Sequence, residues 1–164
     1  ECICASVISE GGVQDLGVLR HADSGSVATL NSSSVYAAIG IRLKSTHLGA
    51  TIKIENVSTI STSSNDQAHW ELLLNPTVAG TFTYADQTNS AVQIATGANT
   101  NTVTGGIEID GGYFETSLPT TITVPNALRL GSMIDGTPDE IVLVIKPITN
   151  NITIQASITW REVS

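Results

Sequence analysis

The chain has 164 residues, a length expected for one domain that can bury its own core. Seven basic and fifteen acidic residues give a net charge of −8, so no positive field attracts nucleic acid or anionic membranes. Only 13% of residues are charged, and serine and threonine supply most of the polar surface, as in many β-proteins. The longest apolar run, 141–145, suits a buried strand and is too short to span a membrane. We therefore expect no nucleic-acid partner and no membrane partner.

Short runs of β-branched residues, separated by Gly, Asn, Asp and Pro, recur along the chain and predict strands. In chain order, the predicted strands are 12–19, 35–44, 51–59, 68–74, 81–84, 91–95, 106–110, 113–116, 120–124, 140–147 and 151–162. Helical periodicity is nearly absent, and only 126–139 has room for a single helical turn. The chain is therefore predicted to be almost entirely β.

Alternation of apolar and polar residues shows which face of a strand is buried. In the last strand, one face carries the apolar residues Ile152, Ile154, Ala156, Ile158 and Trp160. Segment 140–146 is instead apolar on both faces. That pattern is typical of a central strand covered on both sides, or of an edge strand that another subunit buries.

Turn signals connect these strands into a fold. Asp110-Gly111-Gly112 predicts a tight turn between two strands, and 96–106 is predicted to be an exposed loop. Together the elements predict an all-β fold, an antiparallel two-sheet sandwich of about ten strands with jelly-roll-like topology. We assign the sandwich domain to residues 35–164 and a strand or arm segment, able to pack on a neighbouring subunit, to residues 1–34.

The sequence contains none of the motifs that frame known catalytic sites, such as a nucleophile elbow, a P-loop or a zinc-protease helix. Its three histidines, His21, His47 and His69, lie in different segments. Strand geometry places His69 and Glu71 on one face and Trp70 on the other, which we interpret as a core tryptophan beneath surface polar residues. We therefore predict that the protein is not an enzyme.

Metal and cofactor signals are equally sparse. Asp135, Asp139 and Glu140 lie within six residues and could supply calcium ligands, but turn chemistry explains the same pattern. Cys2 and Cys4 would share one face of an extended segment, and free thiols, intersubunit bridges and metal ligation all stay open for them. We predict no metal site and no cofactor.

Carbohydrate recognition needs exposed aromatic rings flanked by amides, carboxylates and hydroxyls. With 4% aromatic residues the chain offers few such rings. The best candidate ligand cluster is Tyr84 with Asp86 and Asn89, and a second candidate is the loop that contains Asn99 and Asn101. These five residues are the predicted ligand or receptor loops.

Several segments together resemble the C-terminal region of uncharacterised structural proteins of tailed bacteriophages. They are 41–44 (IRLK), 70–76 (WELLLNP), 105–106 with 112–114 (GG and GYF), 128–132 (LRLGS), 139–144 (DEIVLV) and 157–162 (SITWRE). The resemblance covers residues 35–164 and transfers no site residues. It implies a non-enzymatic virion component in a fibre, tail, neck or head-surface position, with other virion proteins as partners. A receptor- or carbohydrate-binding module for host adhesion is the alternative function.

Self-association is also expected. If the outer face of 141–145 were exposed, it would form a contiguous apolar patch of the kind that marks an interface. Assembly would then use the hairpin 140–162 or the strand 35–44, and the phage resemblance implies a trimer. The opposing interpretation is that both faces of this strand are covered within one subunit.

Overall fold

The computed structural model describes residues 17–62, 65–115, 120–123 and 128–163. The strands in these ranges are β1 (Val18–Leu30), β2 (Tyr36–Leu43), β3 (Thr51–Ser61), β4 (Gln67–Leu74), β5 (Thr77–Val78), β6 (Ala85–Asp86), β7 (Val92–Thr96), β8 (Val103–Thr104), β9 (Ile107–Glu115), β10 (Thr120–Thr123), β11 (Arg129–Leu130), β12 (Glu140–Pro147) and β13 (Ile152–Val163). A single 3-10 turn follows β2 at Ser45–His47. None of the described residues form a helix long and apolar enough to cross a membrane.

Two antiparallel sheets form a jelly roll. The first sheet has the order β1-β13-β3-β10, with β11 also paired to β3, and the second has the order β6-β7-β2-β12-β4-β9. If β5, β6, β7, β8 and β11 are set aside, eight strands remain. In chain order, the first sheet contains the first, eighth, third and sixth of them, and the second sheet contains the second, seventh, fourth and fifth. This double Greek-key order defines a jelly roll, so the predicted all-β sandwich is confirmed.

The core lies between the two sheets and follows the alternation of the strands. The sequence pattern predicts nine core side chains, and all but Leu74 are buried: Trp70, Leu72, Ile141, Leu143, Ile145, Ile154, Ile158 and Trp160. Leu74 is only partly buried and packs at the edge of this cluster. The inward faces of β4, β12 and β13 therefore fill the sandwich as their sequence pattern predicts.

A second, smaller apolar cluster covers the outer face of β12. Val142 and Val144 are fully buried there, although they point away from the main core. Their cover comes from the long connection between β4 and β9, which packs Val78, Phe82 and Val103 against them. The prediction that 141–145 exposes an apolar patch for an interface is therefore wrong, because the chain itself covers both faces of β12.

Strand β1 joins the predicted arm to the sandwich. It pairs with β13 along its length, and it buries Val27 and Leu30 in the core. The boundary predicted at residue 34 does not separate two units here. The sequence does not indicate this strand, because its polar stretch around Gly25 is typical of a loop. In the structure, the strand continues through this stretch with a register shift between Asp23 and Ser26. Cys2 and Cys4, and most of the predicted strand 12–19, lie outside the described residues.

Strand β9 runs straight through the predicted turn at Asp110-Gly111-Gly112. The glycines are needed for close packing instead, since a Cβ on Gly112 would lie 3.0 Å from Nε1 of Trp70. The predicted strand 81–84 is also wrong, because that segment forms no strand and instead lays Phe82 over the second sheet.

Candidate functional site

The structure does not gather the predicted ligand residues into one site. Tyr84 and Asp86 lie beside β2 and β7 on the outer face of the second sheet. Asn89 is exposed in the turn before β7, where its carbonyl accepts a hydrogen bond from Arg20. Asn99 is exposed in the loop that follows β7. The two predicted clusters thus lie apart from each other.

Asn101 is a structural residue. Its side chain is 1% exposed, and its amide donates to the carbonyls of Ala79 and Thr81 at 2.9 and 3.0 Å. Its side-chain oxygen accepts the N–H of Ala98 at 2.9 Å. The interpretation of Asn101 as an exposed ligand residue is wrong, because its buried amide group links the segment 79–81 to the loop that contains Ala98.

A polar cleft of about 380 Å³ surrounds Tyr84. The guanidinium of Arg42 lies over the Tyr84 ring at 4.2 Å from the ring centroid, in a cation–π contact. Phe82 packs edge-on against the same ring, with centroids 5.5 Å apart. Tyr84 is thus held between a cation and an aromatic edge.

The charged groups of this cleft belong to a row that crosses four adjacent strands. Arg42 Nη1 donates to Glu140 at 2.8 Å, and Arg42 Nε donates to the side-chain oxygen of Gln93 at 2.8 Å. Gln93 Nε2 then donates to Asp86 at 2.8 Å, and this bond lowers the pKa of Asp86. Each member faces the next across the sheet register, so the row is a continuous cross-strand ladder.

The phenol of Tyr84 points into the sheet. Its hydroxyl is buried and has no hydrogen-bond partner within the described residues. Burial and the nearby charge of Glu140 raise its pKa. A Cβ on Gly40 would lie 2.6 Å from this hydroxyl, so only glycine leaves room for it. The arrangement fixes the Tyr84 side chain in place, with its hydroxyl buried against Gly40.

A second cleft, of about 350 Å³, lies at the other side of the same sheet face and contains none of the predicted ligand residues. Tyr113 lies at the rim of this cleft and is 75% exposed. The ring of Tyr113 lies 4.7 Å from the ring of His69, and His69 Nδ1 lies 2.9 Å from Glu71 Oε1. Lys146, Pro147 and Ile148 complete the lining.

The predicted face assignment around His69 is confirmed. Trp70 is buried, while His69 and Glu71 share the outer face. The missing element was Tyr113, which faces His69 across the β4–β9 pairing. A continuous β9, in place of the predicted turn at Gly111, would have revealed this neighbour from the sequence.

The acidic loop near Asp135 makes a turn. Asp135 accepts the backbone N–H of Thr137 at 2.9 Å, and this bond lowers the pKa of Asp135. Asp139 accepts from the amide of Asn75 at 2.8 Å. Among the described residues, no group of three His, Cys, Asp or Glu side chains is arranged to hold a metal ion.

Comparisons with known proteins identify no relative. No family model, no curated protein and no solved structure matches the chain.

Proposed function

We propose that this chain is a non-enzymatic structural protein of a bacteriophage virion, which assembles through its sandwich edges. The observation that carries the proposal is the jelly-roll strand order. Viral capsid proteins use this double-sheet fold repeatedly, and so do lectins, because it closes a large core without helices. The segments that resemble phage structural proteins span the same domain.

The assembly surface in this proposal is the outer edge of β1. Among the described residues, no strand pairs with that edge. Its regular part, from Val18 to Asp23, pairs with β13 without a register shift, while register shifts interrupt the rest of β1. Val18 and Leu19 are 57% and 56% exposed. A straight edge with exposed apolar side chains is suited to pairing with a neighbouring chain.

The charges on this edge favour association. Arg20 forms an ion pair with Glu162 of the neighbouring strand at 3.2 Å. His21 Nε2 lies 2.9 Å from Asp23 in the same strand. Because these groups are satisfied within the subunit, they leave little unpaired charge to repel a second copy or another virion protein.

Self-association tests the surface. We expect sedimentation of the full chain at micromolar concentration to give a closed oligomer, with a trimer as the expected mass. Leu19→Glu should shift this species to monomer, because it places a charge on the apolar edge. Ile134→Glu, at an exposed loop position away from β1, is the matched control and should leave the mass unchanged. A monomer that persists in the unmodified chain would overturn assembly through this edge.

Location tests the virion assignment. Mass spectrometry of purified phage particles should detect the chain at a fixed copy number, and imaging of particles labelled on this chain should place it on the fibre, tail, neck or head surface. Absence from purified particles that carry their full set of structural proteins would overturn the proposal.

A further inference from the structure

We propose that the cleft formed by Tyr113, His69, Glu71, Lys146 and Ile148 binds a neutral pyranose sugar. This inference concerns ligand binding on the face of the second sheet, and it does not depend on assembly through β1.

Tyr113 provides the platform. Tyr113 is 75% exposed, which is more than is usual for tyrosine, a residue that is partly buried in most proteins. The ring packs on one side against His69, with ring centroids 4.7 Å apart and a 47° tilt. An exposed aromatic ring with one packed neighbour can stack its open face on the C–H face of a pyranose.

Glu71 and His69 provide the polar contacts beside this ring. The 2.9 Å contact between His69 Nδ1 and Glu71 Oε1 fixes the carboxylate and leaves its second oxygen as an acceptor for sugar hydroxyls. Both side chains are about four-fifths buried, with 20% and 23% of their side-chain surfaces exposed. Polar groups held beside an apolar ring fix the orientation of a bound ligand, which is the usual design of a small-molecule site.

A glycine in the neighbouring strand lies beside Glu71. Gly111 faces Glu71 across the β4–β9 pairing, two residues before Tyr113 on the same face. A side chain at this position would begin 3.0 Å from Glu108 Oε1 and 3.5 Å from Cγ of Glu71. Glycine at this position therefore leaves room for the Glu108 carboxylate next to the Glu71 side chain.

Charge selects a neutral sugar. Glu71 lines the cleft, Glu108 lies beside Gly111, and Glu115 lies two residues beyond Tyr113 in β9. Lys146 is the single lysine in the lining. Glu71 and Lys146 balance in charge within the lining, so an acidic sugar would gain no net attraction there and would approach the nearby carboxylates of Glu108 and Glu115. A neutral hexose would avoid that repulsion and could use Glu71 as a hydrogen-bond acceptor.

Saturation-transfer and chemical-shift NMR on the full chain provide the test. The probes are methyl glycosides of glucose, galactose and mannose, N-acetylglucosamine, and glucuronic acid as the acidic comparison. We expect saturable binding of at least one neutral sugar, with transfer strongest to the ring protons of one sugar face. Tyr113→Ala should weaken binding at least fivefold, and Tyr113→Phe should retain it because the stacking surface remains.

A second variant in the site and a control at a distant position complete the test. Glu71→Gln should weaken sugar binding. Ile134→Ala, which removes an exposed apolar side chain elsewhere, should leave the affinity unchanged. Several results would overturn the proposal: no saturable binding by any neutral probe, binding of glucuronic acid alone, or binding that Tyr113→Ala leaves intact. Loss of self-association in Leu19→Glu with retained sugar binding would separate this inference from the proposed assembly.

Discussion

The guanidinium of Arg42 lies 4.2 Å from the centroid of the Tyr84 ring, while its N–H groups bond Gln93 and Glu140 in the neighbouring strands. One arginine therefore joins three strands of the second sheet to the connection that covers it. Phe82, beside Tyr84 in that connection, packs over Val142 and Val144. The connection between β4 and β9 is thus held both by the polar ladder, through Tyr84, and by the apolar cluster on the outer face of β12, through Phe82.

Tyr84→Phe tests the buried phenol. Because the hydroxyl has no partner in the described residues, its removal should leave the free energy of unfolding unchanged or raise it by about 1 kcal/mol. The ring, which contacts Arg42, is retained. Urea denaturation measures the effect, with Tyr113→Phe at an exposed position as the control. A loss of stability in Tyr84→Phe would mean that the hydroxyl makes a stabilising bond.

Asn101→Ala tests the structural role of the buried amide. It leaves the carbonyls of Ala79 and Thr81 and the N–H of Ala98 without their partner, so we expect a loss of about 3 kcal/mol in unfolding free energy. Asn99→Ala, at an exposed position in the same loop, should change it by less than about 0.5 kcal/mol. Equal effects in thermal or urea unfolding would contradict the assignment.

Val142→Asp tests the cover on β12. Val142 is fully buried by the subunit's own connection, so a carboxylate there should destabilise the fold by more than about 3 kcal/mol. Ile134→Asp, in an exposed loop, should be tolerated. Circular dichroism during urea denaturation measures both. A folded Val142→Asp variant of unchanged stability would mean that the connection does not cover this face in solution.

Glu162 gives stability a defined pH dependence. Burial alone would raise its pKa, but hydrogen bonds from Ser90, Trp160 and a backbone N–H, together with the charge of Arg20, hold the pKa below its ordinary value. A lowered folded-state pKa contributes stability above the unfolded pKa of about 4.3, and this contribution is lost as pH falls through the folded value. Urea denaturation at several pH values measures this dependence.

The variant Glu162→Gln isolates that contribution. It should lower the unfolding free energy by about 2 kcal/mol at pH 7, and the difference from the unmodified chain should shrink toward pH 3. Glu115→Gln, at an exposed carboxylate, is the control and should show little difference at either pH. A difference between Glu162→Gln and the unmodified chain that stays constant with pH would contradict the assignment.

Local pattern was sufficient wherever a single strand decides which side chains face inward. In β13, the apolar alternation from Ile152 to Trp160 fixes the buried face, because successive side chains of any strand point to opposite sides. The same rule placed Trp70 inside and His69 outside. The all-β class and the sandwich architecture follow from repeating such segments without helical periodicity.

Tertiary structure decided whatever depends on a partner distant in the chain. The apolar outer face of β12 is compatible with an interface or with an internal cover, and only the folding back of Val78, Phe82 and Val103 selects the cover. Gly112 is compatible with a turn or with a strand, and the indole of Trp70 across the sheet selects the strand. Sequence spacing does not indicate these contacts, because each one joins segments that are far apart in the chain. The strand order of the fold brings those segments together.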